Sequence, residues 1–286
     1  MRLDDLRHAA RALRASPGFS LVVIVTLGLG VGAATAMFSL VDAVLLRPLP
    51  FDQPDRLVEL WTAIPRDGIS RFRVSSFDFA RWREESGLFE RLALTGGASA
   101  TLTGAGEAAR LPGVRVTEDY FAALGVHAQL GRVFSPDDYR PSAEPVVVLS
   151  QALWVGRFGA DPAVLGRTVM LVEQAHVVVG VLPRQLLPNE AQASGSVPFT
   201  LDEERFWAPL KPAPASAHAH VFGVIGRLRA GVTMAEARGR LAVVGDRLRA
   251  SFPETNAGSE IVLVPLVDEA LGAVRSSLWM LLGAVA

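Results

Sequence analysis

Three small residues stand in an order that could do chemistry. Gly28, Gly30 and Ala33 lie within VVIVTLGLGVGAATA (22–36) as G-x-G-x-x-A, the order that seats a pyrophosphate at a helix N-terminus. That use needs a strand, a glycine turn and then an amphipathic helix with one wet face. The residues that follow Ala33, ATAMFSLV, carry no charge and supply no such face. Asp52 and Asp55 stand where a ribose-binding acid would be, but they follow Pro48 and Pro50 and no strand leads into them. A nucleotide site is the weaker reading of the stretch.

The other reactive groups are sparse. Lys211 is the only lysine, and Pro212 follows it. A Walker A loop, whose G-K-[ST] lysine reaches the β and γ phosphates, is therefore absent, and the chain is not itself a P-loop ATPase. With no cysteine there are no disulfides and no thiolate metal sites, and the compartment is left open. The sequence contains no G-x-S-x-G, no H-E-x-x-H and no S-x-x-K.

His218 and His220 flank Ala219 and could share a metal from one side of an extended segment. The remaining histidines, His8, His127 and His176, are scattered, so loop polarity is the simpler reading. Asp137, Asp138 and the acids at 202–204 read as solvated surface groups. Trp154, Val155 and Phe158 read as one core face of a helix. No catalytic residue, cofactor or metal is expected. A formal net charge of -1 offers no cationic field, so nucleic acid is not an expected partner.

The elements around these residues carry more information. From Ala15 to Val41 there is no charge and no histidine; at ~1.5 Å per residue the run reaches roughly 40 Å as a helix, beyond the ~30 Å apolar core of a bilayer. A membrane helix over 19–46 is expected, with Gly28, Gly32 and Ala36 as a small-xxx-small ridge for helix packing or simply as small residues tolerated in lipid. A cleaved signal peptide ending at Ala34-Thr35-Ala36 is the third reading, opposed by the apolar run that continues through Phe38, Leu40, Val44 and Leu46. Arg2, Arg7, Arg11 and Arg14 precede the run and place the N-terminus in the cytoplasm. Leu3, Leu6, Ala10 and Leu13 recur at helical spacing, so 1–18 is expected as an interfacial amphipathic helix.

Residues 47–275 hold no second run of this kind and are expected as one large extracytoplasmic domain. The final stretch, SSLWMLLGAVA (276–286), is expected as the start of a second membrane helix. Within 47–275 short strands and helices alternate. Strands are expected at 56–61, 92–103, 109–116, 145–149, 168–173, 176–181, 220–229 and 260–267. Ser75-Ser76, Thr117, Ser150 and Thr233 are expected to start helices, the last through the capping box Thr233-Met234-Ala235-Glu236. The proline-rich stretch 183–219 is expected as a long loop joining two subdomains. The fold class is thus α+β: a membrane helix, a mixed α/β outer domain of two subdomains, and a truncated second membrane helix.

These pieces resemble a known family, the MacB-like and FtsX-like permeases of ABC transport systems, especially the large duplicated type. The resemblance rests on SPGFSLVVIVTLGLGVGAATAMFSLVDAVLLRPLPF (16–51), SSFDFARWREES (75–86) and VRVTEDYFAALGVHAQLGRVFSPDD (114–138). It continues through PVVVLSQALWVGRFGADPAVLGRTVMLVEQAHVVVGVLP (145–183), RFWAPL (205–210) and GRLRAGVTMAEAR (226–238). After Pro183 the chain departs from the family pattern, with Arg184-Gln185-Leu186 in place of a glycine and an aromatic.

The resemblance implies a permease subunit in the bacterial inner membrane, with four membrane helices around a large extracytoplasmic domain. It also implies a separate cytoplasmic ABC ATPase, a second permease half supplied by a homodimer or an internal duplication, and a periplasmic adaptor. Such permeases act in export or efflux by moving the outer domain, and no catalytic residues are expected in them. Pro48, Pro50 and the segment 271–278 would then be the transmission points. A membrane-anchored binding domain with no transport role is the competing reading.

Overall fold

The computed structural model of the 286-residue chain describes residues 17–41, 51–104, 106–171, 174–184, 187–188, 199–200, 204–211, 217–269 and 280. The expected interfacial helix, Pro48, Pro50, the segment 271–278, nearly all of 276–286 and most of the 183–219 loop lie outside the described residues. The chain divides into two compact units, Met1–Pro48 with Leu271–Ala286, and Leu49–Ala270.

In the first unit, Pro17–Val41 is one continuous α-helix, α1. Apolar residues recur on every side of it, so it has no wet face. Phe19, Leu21, Val22, Ile24, Leu27, Leu29 and Val31 are all exposed. Thr26 and Thr35 donate their hydroxyls to the carbonyls one turn back, Val22 at 2.8 Å and Val31 at 2.7 Å, so both threonines satisfy their polar hydrogens within the helix. The helix's side chains are described at 17–32 and 35, and among the described residues no helix is long and apolar enough to cross a membrane. The span expected at 19–46 is not shown by this helix alone.

The second unit is built on one mixed sheet. Its strands are β1 (Leu57–Ile64), β2 (Ile69–Phe72), β3 (Phe89–Thr103), β4 (Ala109–Val116), β5 (Leu130–Gly131), β6 (Val146–Leu149), β7 (Thr168–Leu171) and β8 (Gln174–Val181). A separate two-stranded ribbon, β9 (Leu187–Pro188) and β10 (Phe199–Thr200), precedes β11 (Phe206–Pro209), β12 (Gly223–Leu228) and β13 (Glu260–Pro265). The order across the sheet is β13-β1-β12-β3-β4-β11-β6-β8-β5, with β2 beside β1 and β7 joining β3 and β8.

One half of this sheet follows directly from two capped helices. Ser75 caps α2 (Ser76–Ser86), accepting from the Asp78 amide at 3.0 Å and donating to the Asp78 carboxylate at 2.7 Å. Thr233 caps α5 (Met234–Ser251) by accepting from the Glu236 amide. Each helix links strands that skip one neighbour, β1-α2-β3 and β12-α5-β13, so the order β13-β1-β12-β3 is the split βαβ arrangement of ferredoxin-like folds. Trp82, Leu241, Val244 and Leu248 on the helices pack against Val58, Leu60, Leu92, Leu94 and Val224 on the strands.

The other half is inserted between β3 and β12. β3 carries the sheet from one half to the other: Phe89–Thr95 pair with β12, and Thr95–Leu102 pair with β4. β6, VVVL, is buried on both faces. Val146 and Val148 enter a core with Tyr120, Phe121 and Trp207, while Val147 and Leu149 enter another with Leu153, Phe158 and Phe206. A strand covered on both faces reads as a continuous apolar run for this reason. β11 runs parallel to β4, and Phe206 is seated on Gly113, where a Cβ would lie 2.2 Å from the ring. The shared sheet makes Leu49–Ala270 a single compact unit in place of two separable subdomains.

Two local expectations are corrected. α3 spans only Tyr120–Leu124 and does not start at Thr117. Thr117 spends its hydroxyl on the Leu94 amide, at 2.9 Å, and Asp119 spends its carboxylate on Arg83 and Arg91. In α4 (Gln151–Phe158), capped by Ser150, the buried residues are Leu153 and Phe158, whereas Val155 is 51% exposed. The eight-residue helix turns Val155 away from the sheet, whereas Trp154 packs against the same core as Leu153 and Phe158 and donates its indole N–H to the Asp161 carbonyl oxygen at 2.9 Å.

Candidate functional site

The structure separates most of the reactive groups that the sequence brings to attention. Gly28, Gly30 and Ala33 lie inside one uninterrupted helix, so no strand and turn exist there to cradle a phosphate. Gly28 and Gly32 face open space, and the Ala36 side chain lies outside the described residues. His218 packs on the Phe77 ring and His220 on the Phe72 ring, at 4.7 and 5.3 Å between centroids. His220 also meets the Arg73 carbonyl oxygen through Nδ1, and its Nε2 stands 3.8 Å from Asp78. These two histidines serve the far end of the ferredoxin-like half and do not converge on a common point.

The acids have structural employment. Asp138 takes two hydrogen bonds from Arg132, at 2.6 and 2.9 Å, and one from the Ser135 amide at 2.7 Å. Burial alone would raise its carboxyl, but those hydrogen bonds and the Arg132 charge hold it below the ordinary carboxylate value. Asp137 is surface-exposed beside Arg140, and Glu204 accepts from Arg157 at 3.0 Å.

What the fold does bring together is its own two ends. β1 and β13 are antiparallel neighbours, and their register sets Val58 opposite Pro265. The segment arriving at β1 and the segment leaving β13 therefore lie side by side at one end of the sheet. Phe51 on the incoming side and Leu266 on the outgoing side belong to one buried cluster with Leu57, Tyr120, Phe121 and Leu124.

Arginines fasten the incoming segment. Arg227, on β12, is buried and donates to three backbone carbonyls: Ala123 from Nε at 2.8 Å, Asp52 from Nη2 at 2.6 Å and Gln53 from Nη1 at 3.3 Å. The Ala123 carbonyl belongs to the last turn of α3, where the helix dipole is negative. One guanidinium thus ties the incoming chain to both a central strand and α3. Burial and the neighbouring Arg56 lower its affinity for the proton, with Asp52 and Glu90 opposing them; an arginine stays charged nonetheless. Gly125, in the left-handed region at φ 70°, closes α3 against Asp52, whose Cβ is 3.0 Å from where a side chain at Gly125 would begin. Arg56 adds bonds to the Leu228 carbonyl, at 2.8 and 2.6 Å, and pairs with Glu90.

A separate pair fastens the outgoing segment. Residues 266–269 are helical, and Glu269 accepts from Arg71 Nη1 through both oxygens, at 2.6 and 2.5 Å. The Glu269 side chain is only 1% exposed. Burial pushes its carboxyl above the ordinary range, and Arg71 pulls it partly back.

Sequence reasoning missed all of these fastenings. Arg227 had a signal, since it is the one charge in the strand GVIGRL, every residue of which is buried. Glu269 had none, because its partner is 198 positions away.

The comparisons with known proteins agree with this architecture. The family model described as MacB-like periplasmic core domain matches residues 20–244. The periplasmic region of MacB from Actinobacillus actinomycetemcomitans superimposes with a TM-score of 0.54 at 15% identity, covering 77% of this chain and 92% of that one. The extracellular domain of the noncanonic ABC-type transporter YknZ from Gram-positive bacteria gives 0.52 at 14% identity, covering 72% and 99%. A permease-protein domain from Porphyromonas gingivalis gives 0.55 at 18% identity, covering 75% and 92%. At these identities the likeness is one of fold. No curated protein sequence matches the chain.

Proposed function

The chain belongs to the MacB-like periplasmic core domain family, and from that membership we propose that Leu49–Ala270 is the extracytoplasmic domain of an ABC-type permease subunit. In this reading α1 supplies the first membrane helix, with the N-terminus in the cytoplasm of a bacterial cell. The segment after 269 leads into the second helix. A separate cytoplasmic ATPase drives the pair, a second permease half completes the assembly, and a periplasmic adaptor receives the motion during export. The subunit itself is non-catalytic.

The observation that carries the reading is the Val58–Pro265 register. A domain inserted between two membrane helices must receive and return the chain at neighbouring points, and β1 and β13 do this in adjacent strands. The fastenings by Arg227 and Arg56 support it, because a pull on residues 51–56 reaches β12 and α3 directly through hydrogen bonds. A packed sheet with continuous hydrogen bonds is one physical route by which distant sites can be coupled. The all-round apolar surface of α1, with both threonine hydroxyls satisfied internally, supports the membrane assignment.

The absence of cysteine in the chain makes the test direct. A single cysteine at exposed Thr103 should react with a membrane-impermeant maleimide in intact cells, and one at Arg7 should react only after lysis. A cysteine at Thr103 that stays unreactive until lysis would contradict the proposed topology.

A further inference from the structure

We propose that Glu269 and Arg71 form a releasable latch, which docks the helical turn 266–269 on the β1–β2 hairpin. Its use in transport rests on the function proposed above, whereas its existence does not.

Leu266 and Glu269 are three positions apart and so share one face of the helical turn. That face has one apolar anchor, Leu266, fully buried in the central core, and one ionic anchor, Glu269. The ionic anchor ends on a light element. β2 is four residues long, three of them exposed, and it meets β1 at two rungs with a register shift between them, Thr62 with Phe72 and Ile64 with Ile69.

By contrast, the incoming segment is tied to β12 and α3, in the middle of the sheet. The two ends of the domain are thus held with different firmness. Local opening begins where packing is light, which singles out the outgoing end. Burial of the Glu269 carboxylate is unfavourable by itself, as its raised proton affinity indicates, so the docked position depends on the Arg71 charge. When that contact opens, the Glu269 end of the turn can lift from β2 while Leu266 stays buried and β1 and β13 stay paired.

Hydrogen exchange of the full-length protein in detergent, without any ATPase, tests this. In Arg71→Met, the Glu269 amide, one turn into the helical segment, should exchange at least tenfold faster, with β1 and β12 unchanged. The exchanged pair Arg71→Glu with Glu269→Arg should return it toward the wild-type rate. Arg71→Lys keeps the charge and should fall between wild type and Arg71→Met, which keeps the test valid if Arg71→Met fails to fold. Three results would overturn the latch: less than a twofold change at the Glu269 amide in Arg71→Met, a loss of protection spread equally over β1 and β12, or no recovery in the exchanged pair. Because no ATPase is present, failure of the transport reading leaves these readouts intact.

Discussion

Arg227 donates from Nη2 to the Asp52 carbonyl oxygen at 2.6 Å, joining the chain that arrives at the domain to a strand in the middle of its sheet. The same guanidinium holds Ala123 and Gln53. Arg227→Met would leave those buried carbonyls short of donors, and the expected loss of stability is about 3 kcal/mol. Arg227→Lys, with one nitrogen and no planar fork, should recover less than half of it. Urea unfolding followed by tryptophan fluorescence measures both, and a loss below about 1 kcal/mol in Arg227→Met would refute the fastening.

Gly113 lies under the Phe206 ring across the parallel β4–β11 pair. Gly113→Ala should cost about 2 kcal/mol by overpacking, and adding Phe206→Leu should return part of that loss by making room. The urea midpoints of the single and double variants form the check. Equal destabilisation with and without Phe206→Leu would mean that the ring contact is not the cause.

Asp138 makes the fold sensitive to acid. Its carboxyl ionises more readily folded than unfolded, so its stabilising effect is fully present above the unfolded value of about 4 and is lost as pH falls through the lower folded value. Glu269 has the opposite sign: its raised folded value favours the folded form in acid, an effect lost as pH rises through that value. Urea midpoints between pH 6 and pH 2 should therefore fall more steeply in wild type than in Asp138→Asn. Parallel curves would contradict the assignment to Asp138.

Much of the ferredoxin-like half is legible in the sequence because its signals are local. Ser75 and Thr233 cap the helices they were expected to cap, and Ala237, Leu241, Val244 and Leu248 form the buried face that their spacing predicts. β4 matches its expected range, and β3 begins three residues before the expected start, at Phe89 rather than Leu92. The errors fall where long-range contacts outweigh local ones: Asp119 and Thr117 are drawn away from capping α3 by partners on α2 and β3. The candidate site was less legible. Pro48 and Pro50 draw attention through backbone chemistry, while the fastenings nearest to them in sequence are made by Arg227 and Arg56, which reach partners 175 and 172 positions away that no spacing rule connects.

If α1 packs on another membrane helix through its small residues, Gly28→Leu and Gly32→Leu should weaken that association. Cross-linking yield or oligomer mass in detergent would register the change, and Leu29→Ala should leave it intact. Unaltered association in both glycine variants would show that the glycines are merely accommodated in lipid.

The central claim is that this domain is one part of an ATP-driven permease. Purification of the full-length protein from its native membranes, with the bound proteins identified by mass spectrometry, addresses it most directly. The account predicts that an ABC ATPase bearing the Walker A motif this chain lacks copurifies in a fixed ratio. Full-length protein recovered intact from those membranes with no ATPase would contradict the account and favour a membrane-anchored binding domain.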